Sequence, residues 1–204
     1  MRRFLSVTGF VLACASALPA LAQVATTEVG GVKFPNTVQL GGSRLQLNGA
    51  GIRHKVVFKV YAAALFLTEK AGTPEEVLAA PGPKRLQVTM LREIDANELG
   101  KLFTKGMEQN APREEFSKSI AGIMRMSDIF SNRKRLLAGD SFTVDWLPGT
   151  GTVISVNGSP EGAPVKAPEF HSALMKIWLG KSPADAQLKE ALLGRAPPAS
   201  PGYN

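Results

Sequence analysis

Polar and apolar positions alternate most regularly over residues 45–67 (LQLNGAGIRHKVVFKVYAAALFL), the longest strand-like run in the chain. From Arg53 onward, His54, Val56, Phe58, Val60, Ala62, Ala64 and Phe66 form one set, almost wholly apolar. The other set begins with Arg53, Lys55 and Lys59 and ends with Tyr61, Ala63, Leu65 and Leu67. A period of two puts the sets on opposite faces of a strand. One face reads as core, and the other offers cations and a phenol before it too becomes buried. The Asn48-Gly49-Ala50-Gly51 punctuation upstream predicts a turn or bulge where two strands meet.

Around this run the pattern predicts shorter elements. Residues 29–35 and 37–40 read as strands broken at Pro35-Asn36, and Gly41-Gly42 turns the chain into residues 44–47. Thr73-Pro74-Glu75-Glu76 is a compact helix start, with a threonine cap, a proline at the first helical position and a glutamate three residues after the cap. Pro81-Gly82-Pro83 ends that helix, and residues 84–91 alternate as a strand. Asp95-Ala96-Asn97-Glu98 opens a helix to about Gln109, with Leu99, Leu102, Phe103 and Met107 on one side. A second follows Pro112, with Phe116, Ile120, Ile123 and Met124 as its apolar stripe. Arg133-Lys134-Arg135 reads as the solvated end of a helix.

Residues 141–147 and 152–157 form a hairpin through Pro148-Gly149-Thr150-Gly151. Asn157-Gly158 reads as a turn in preference to a glycosylation acceptor. Residues 169–179 are helical, and Ser182-Pro183 is expected to cap a last helix bearing Leu188, Leu192 and Leu193. Strands first and helices in clusters afterwards point to an α+β domain.

Composition narrows the class. At 204 residues and 44% hydrophobic, the chain can bury one sizeable core. Its +7 formal charge permits attraction to anions, but the cations are scattered, without the arginine–aromatic clustering of a nucleic-acid binder. Residues 1–22 read as a secretion signal: Arg2 and Arg3, an apolar centre, then Ala20-Leu21-Ala22 as a cleavage pattern. The run is too short and too interrupted to span a membrane stably. Cleavage there would remove Cys14, the single cysteine, and lipidation at Cys14 is the rival reading. The expectation is a periplasmic or secreted protein: signal 1–22, leader 23–28, domain 29–194 and a disordered Pro-rich tail 195–204.

Most chemical signatures are missing. His54 and His171 are the two histidines, and neither belongs to a metal-spaced pair, so no metal and no cofactor is expected. His171 is expected to face solvent or pack against a neighbour, and His54 to be a hydrogen-bonded structural histidine. Gly49-Ala50-Gly51 precedes a strand and so is no dinucleotide-binding turn. Glu114 and Glu115 are adjacent and cannot converge on a substrate like a glycosidase pair.

The stretches Asn48-Gly49-Ala50-Gly51-Ile52-Arg53, Phe58 through Leu67, Val88-Thr89-Met90, Gly139-Asp140-Ser141-Phe142 and Ile177-Trp178-Leu179-Gly180 together resemble the chalcone isomerase-like superfamily, across about residues 29–194. The likeness is nearest its exported bacterial branch. It implies an open-faced β-sandwich, a large antiparallel sheet covered by a layer of helices, with a ligand cleft between them. Plant members of the superfamily cyclise chalcones; related plastid proteins hold a fatty acid, with an arginine and a tyrosine at its carboxylate. Arg53 matches the family arginine, and Tyr61 falls where the fatty-acid binders carry tyrosine and the isomerases threonine. The isomerase tyrosine and asparagine fall at Leu99 and Gly106, and near Ile177 the isomerases carry serine or threonine. These departures argue against chalcone cyclisation.

The resemblance thus implies a binding protein for a fatty acid or similar amphipathic carboxylate. Arg53 and Tyr61 would hold the head group, Lys59 would add positive potential, and the helices of residues 99–107 and 116–124 would line the tail. An isomerase acting on another enone, and a ligand-free interaction protein with a filled cleft, are the alternatives. One obstacle stands out. Eight residues along a straight strand would hold Arg53 and Tyr61 about 26 Å apart, and Val56-Val57-Phe58 is poor material for the turn that would bring them together.

Overall fold

A computed structural model describes residues 25–195. The expected signal and nearly all of the expected tail lie outside the described residues. The chain runs β1 (Thr26–Val29), β2 (Val32–Pro35), β3 (Thr37–Leu40), β4 (Ser43–Lys55), β5 (Phe58–Leu67), α1 (Pro74–Ala79), β6 (Lys84–Met90) and β7 (Ile94–Asp95). It continues α2 (Ala96–Asn110), α3 (Arg113–Ser131), β8 (Arg135–Leu136), β9 (Ser141–Leu147), β10 (Gly151–Val156), β11 (Ser159–Pro160), α4 (Pro168–Leu179) and α5 (Ala186–Leu192). Seven strands form one antiparallel sheet in the order β11-β10-β9-β6-β5-β4-β3. This is the α+β architecture with helices on one face of a large sheet.

β5 lies in the middle of the fold because both of its faces are apolar. Tyr61, Ala63, Leu65 and Leu67 enter the core shared with α2, α3 and α4. Ala62, Ala64 and Phe66 pack under the β1–β2 hairpin with Phe34, Leu45 and Leu47. The other sheet face is therefore covered over β4 and β5, by a hairpin that begins inside the expected polar leader.

The long run at residues 45–67 is two strands, and they reverse where the sequence looks least able to turn. Val56 and Val57 form the hairpin loop, and Val56 takes φ +57°. A β-branched residue rarely tolerates that conformation, which glycine or asparagine normally fills at such a turn. Val56→Gly is therefore expected to raise stability by about 1 kcal/mol, the strain relieved outweighing glycine's extra chain entropy. A higher midpoint in thermal unfolding would show it; an unchanged or lower one would mean that Val56 is not strained.

Asn48-Gly49 is a bulge within β4, not the junction of two strands. Leu47 pairs Phe66 and Gly49 pairs Leu65, which leaves Asn48 over. The buried Asn48 amide donates to the carbonyls of Ala71 (2.9 Å) and Leu192 (2.8 Å), and its oxygen accepts from Ala71 N–H (2.8 Å). It ties β4 to the loop before α1 and to the end of α5. α5 packs directly on this strand: a Cβ at Gly49 would lie 2.0 Å from the Ala191 carbonyl oxygen, and one at Gly51 2.6 Å from the Ala191 Cβ.

Helix starts follow their expected chemistry at two places. Thr73 and Glu76 form a capping box on α1, and Asp95 caps α2 through the Glu98 N–H at 2.9 Å. Three expectations change. The apolar stripe of α3 runs through Gly122, Ile123, Met126 and Phe130, leaving Ile120 and Met124 exposed. This follows because the Phe170 ring on α4 packs onto Gly122, where it leaves no room for a Cβ. Arg133-Lys134-Arg135 leads into β8 instead of ending a helix, with Arg133 paired to Glu161 and Arg135 to Glu93. The cap of α5 is Asp185, whose carboxylate accepts from the Leu188 N–H at 3.0 Å, three residues beyond the expected Ser182. Asn157-Gly158 does turn the chain, between β10 and β11.

Candidate functional site

The β4–β5 hairpin places Arg53 directly opposite Tyr61 as register partners. A second bulge follows at once. His54 pairs Lys59, so Val60 is the extra residue. The Arg53 guanidinium carbon lies 5.6 Å from the centre of the Tyr61 ring, within reach of a cation–π contact. The separation expected of one straight strand does not exist.

Both residues line a cavity of about 250 Å³ between the sheet edge and the helices. Its apolar part comes from Leu99, Leu102, Phe103 and Gly106 of α2 and Ile177 of α4, and residues 182–184 close one rim. The rim is clamped by Asn110 at the end of α2: its amide donates to the Ser182 carbonyl at 2.9 Å, and its oxygen accepts from Ser182 N–H at 2.8 Å. α3 contributes no lining residue, so the tail-lining role expected for residues 116–124 falls instead to α2 and α4.

Tyr61 is wholly buried and its hydroxyl is positioned from behind. Trp178 Nε1–H donates to the Tyr61 oxygen at 2.8 Å. Trp178 is in turn fixed edge-on against Phe103, 5.4 Å between ring centres. Burial raises the Tyr61 pKa to about 12; Arg53 and the Trp178 hydrogen bond oppose the rise, and Asp185 adds to it. The phenol is therefore protonated at physiological pH. With its oxygen already accepting from Trp178, its proton is the group left to offer.

Arg53 Nε is buried and has no hydrogen-bond partner among the described residues. By contrast, Arg85 grips Asp145 with two bonds of 2.7 and 2.6 Å, and Lys176 is paired with Glu115. A buried guanidinium nitrogen without an acceptor is costly unless something outside the chain supplies one.

Asp185 is the residue that sequence reasoning missed. Its Oδ2 accepts from the His54 N–H at 2.8 Å while Oδ1 caps α5, so it joins the site strand to the last helix. Aspartate three residues before an apolar helical position is a cap signal, and it stands in the sequence as Asp185-Ala186-Gln187-Leu188. Lys59 is exposed on the hairpin and lies outside the cavity lining. His54 Nδ1 has no partner among the described residues, and this histidine is anchored through its backbone N–H rather than its ring. His171 is buried near the start of α4 against Trp146, ring centres 5.3 Å apart, and burial followed by Lys84 pushes its pKa down to about 3. It takes no part in the cavity. Among the described residues no His, Asp or Glu cluster could hold a metal ion, and no helix is long and apolar enough to cross a membrane.

Comparison with known proteins agrees with the fold. A family model described as chalcone isomerase-like matches residues 26–194. Among solved structures, the crystal structure of an Arabidopsis thaliana fatty-acid binding protein superposes with a TM-score of 0.62 at 13% identity, covering 80% of this chain and 92% of that one. At that identity the likeness speaks for the fold. No curated protein matches.

Proposed function

The chain belongs to the chalcone isomerase-like family, and from that premise we propose that its cleft binds a fatty acid or similar amphipathic carboxylate without transforming it. The observation that carries the reading is the Arg53 guanidinium, which lines the cavity, has a buried Nε with no acceptor among the described residues, and stands beside a phenol with a proton free to donate. A carboxylate supplies two acceptors in one plane, which suits a guanidinium fork and a hydroxyl together. Leu99, Gly106 and Ile177 form the apolar remainder, where a tail would lie. An open cavity counts against the ligand-free reading.

An isomerase would need a base, and Tyr61 is held well above the range in which a phenol gives up its proton. Leu99, Gly106 and Ile177, at the positions where the isomerases carry polar side chains, cannot orient a water; the polar lining beyond Arg53 and Tyr61 is Lys105, Gln109 and Ser182. The volume, about 250 Å³, sits below the ~300–1,000 Å³ typical of pockets for drug-sized ligands. A short or medium chain therefore fits better than a long one. We place the protein, with its expected signal removed, in the periplasm or outside the cell.

Calorimetric titration with saturated acids of graded length, each beside its methyl ester, tests the reading. The acid is expected to bind with an optimum at short to medium length, and its ester at least tenfold more weakly, because the ester has lost its charge. Equal binding of acid and ester, or turnover of an enone by a protein that ignores every acid, would overturn it.

A further inference from the structure

We propose that the tip of the β4–β5 hairpin docks on an anionic lipid surface. The tip is Val56-Val57-Phe58, with 90%, 79% and 58% of these residues exposed, the three most exposed consecutive apolar side chains in the described structure. Scattered exposed apolar residues need no explanation, but an apolar triplet at the extremity of a protruding turn does. The strain at Val56 sharpens the question, since glycine would serve the turn better and would bring no apolar surface.

Charge identifies the partner. Lys55 and Lys59 flank the triplet, and the Arg92 guanidinium lies 5.0 Å from the centre of the Phe58 ring. The carboxylates around the adjoining groove do not cancel this. Glu93 is paired with Arg135, while Asp95 caps α2 and keeps its charge. Glu98 is exposed in the groove beside Arg53, and Arg53, Lys55, Lys59 and Arg92 together outnumber Asp95 and Glu98. A short apolar point ringed by cations matches a bilayer whose surface is negative and whose interior is hydrocarbon. An aromatic residue belongs at the boundary between the two. A protein partner of the same character would need an acidic rim around an apolar socket, and nothing in the fold calls for one.

The surface also has a sensible location. Arg53 lies two residues before Lys55 on the same strand and lines the acid-binding cavity, so a protein seated on a bilayer by this tip would hold its cleft mouth near the lipid. The docking itself does not depend on what the cavity holds.

The test uses the full chain carrying Val57→Trp, mixed with vesicles of pure phosphatidylcholine or with about a third phosphatidylglycerol, at low and high salt. On anionic vesicles at low salt the indole emission is expected to shift to the blue and to be quenched by lipids labelled in the acyl chain. Neutral vesicles should give neither effect. In sedimentation with the same vesicles, Lys55→Gln with Lys59→Gln should lower partitioning about 30-fold, and Val57→Ser with Phe58→Ser at least tenfold. A blue shift without vesicles that grows with protein concentration would mean that the tip meets a second copy, and would overturn the proposal. Partitioning that ignores both double variants would overturn it as well. Because no acid is added, failure here leaves the carboxylate reading untouched, and failure of the ester comparison leaves this one untouched.

Discussion

Gly49→Ala is expected to lower stability by about 3 kcal/mol or more, a fall of roughly 6–12 °C in melting temperature for a chain of this size. The added Cβ would sit 2.0 Å from the Ala191 carbonyl oxygen, with the Leu192 oxygen at 2.8 Å and the Gly194 nitrogen at 2.9 Å. All three are backbone atoms, so no side chain can rotate away. Either α5 lifts from β4 or the bulge at Asn48 is lost, and both break the hydrogen bond between Asn48 and Leu192. Gly72→Ala is the control. Its new methyl would meet only the Glu76 carboxylate, at 3.8 Å, and a small change is expected. A Gly49→Ala protein that melts with the native one would mean that α5 is not docked where the structure has it. Because α5 carries Asp185 and follows the rim at residues 182–184, this substitution should also weaken acid binding below the melting transition.

The second large effect is on the ligand. Arg53→Ala is expected to weaken carboxylate binding by about 30-fold, on the order of 2 kcal/mol, the low end of the range for removing a charged hydrogen-bond partner because Arg53 is partly exposed. Arg53→Lys should fall between, since it keeps the charge and loses the planar fork. Neither change should lower the melting temperature much, as Arg53 Nε bonds no described residue. Titration of the three proteins with one acid gives the ranking. Equal affinity for the native and Arg53→Ala proteins would remove the head-group role from this residue.

How legible the site was depends on which physical signal each part uses. Periodicity located the strands and helices and put a cation and a phenol on the sheet, and the apolar residues at 99, 106 and 177 do line the cavity. Their juxtaposition was hidden by a turn that breaks local preference. Val56 at positive φ carries none of the glycine or asparagine cues by which two-residue hairpins are recognised. Gly49 and Gly51 misled in the opposite direction. They look like a turn, but they are glycine because a helix more than 130 residues later presses its backbone against Gly49 and its Ala191 and Leu188 side chains against Gly51. Such long-range demands leave no local trace. The stripe of α3 was displaced for a related reason: Gly122 is silent as a hydrophobic position, yet Phe170 of α4 packs against it.

The same junction carries a consequence for the order in which the molecule assembles. Asn48 bonds Leu192 across 144 positions, and His54 bonds Asp185 across 131. Closing loops of that length is slow compared with zipping a hairpin, so the β4–β5 ribbon can form long before its outer brace arrives. As the chain folds, Arg53 and Tyr61 would already face each other before the segment that completes their cavity docks. Competence to hold a ligand is thus the last property this chain acquires, and the first it should surrender when the final helix frays.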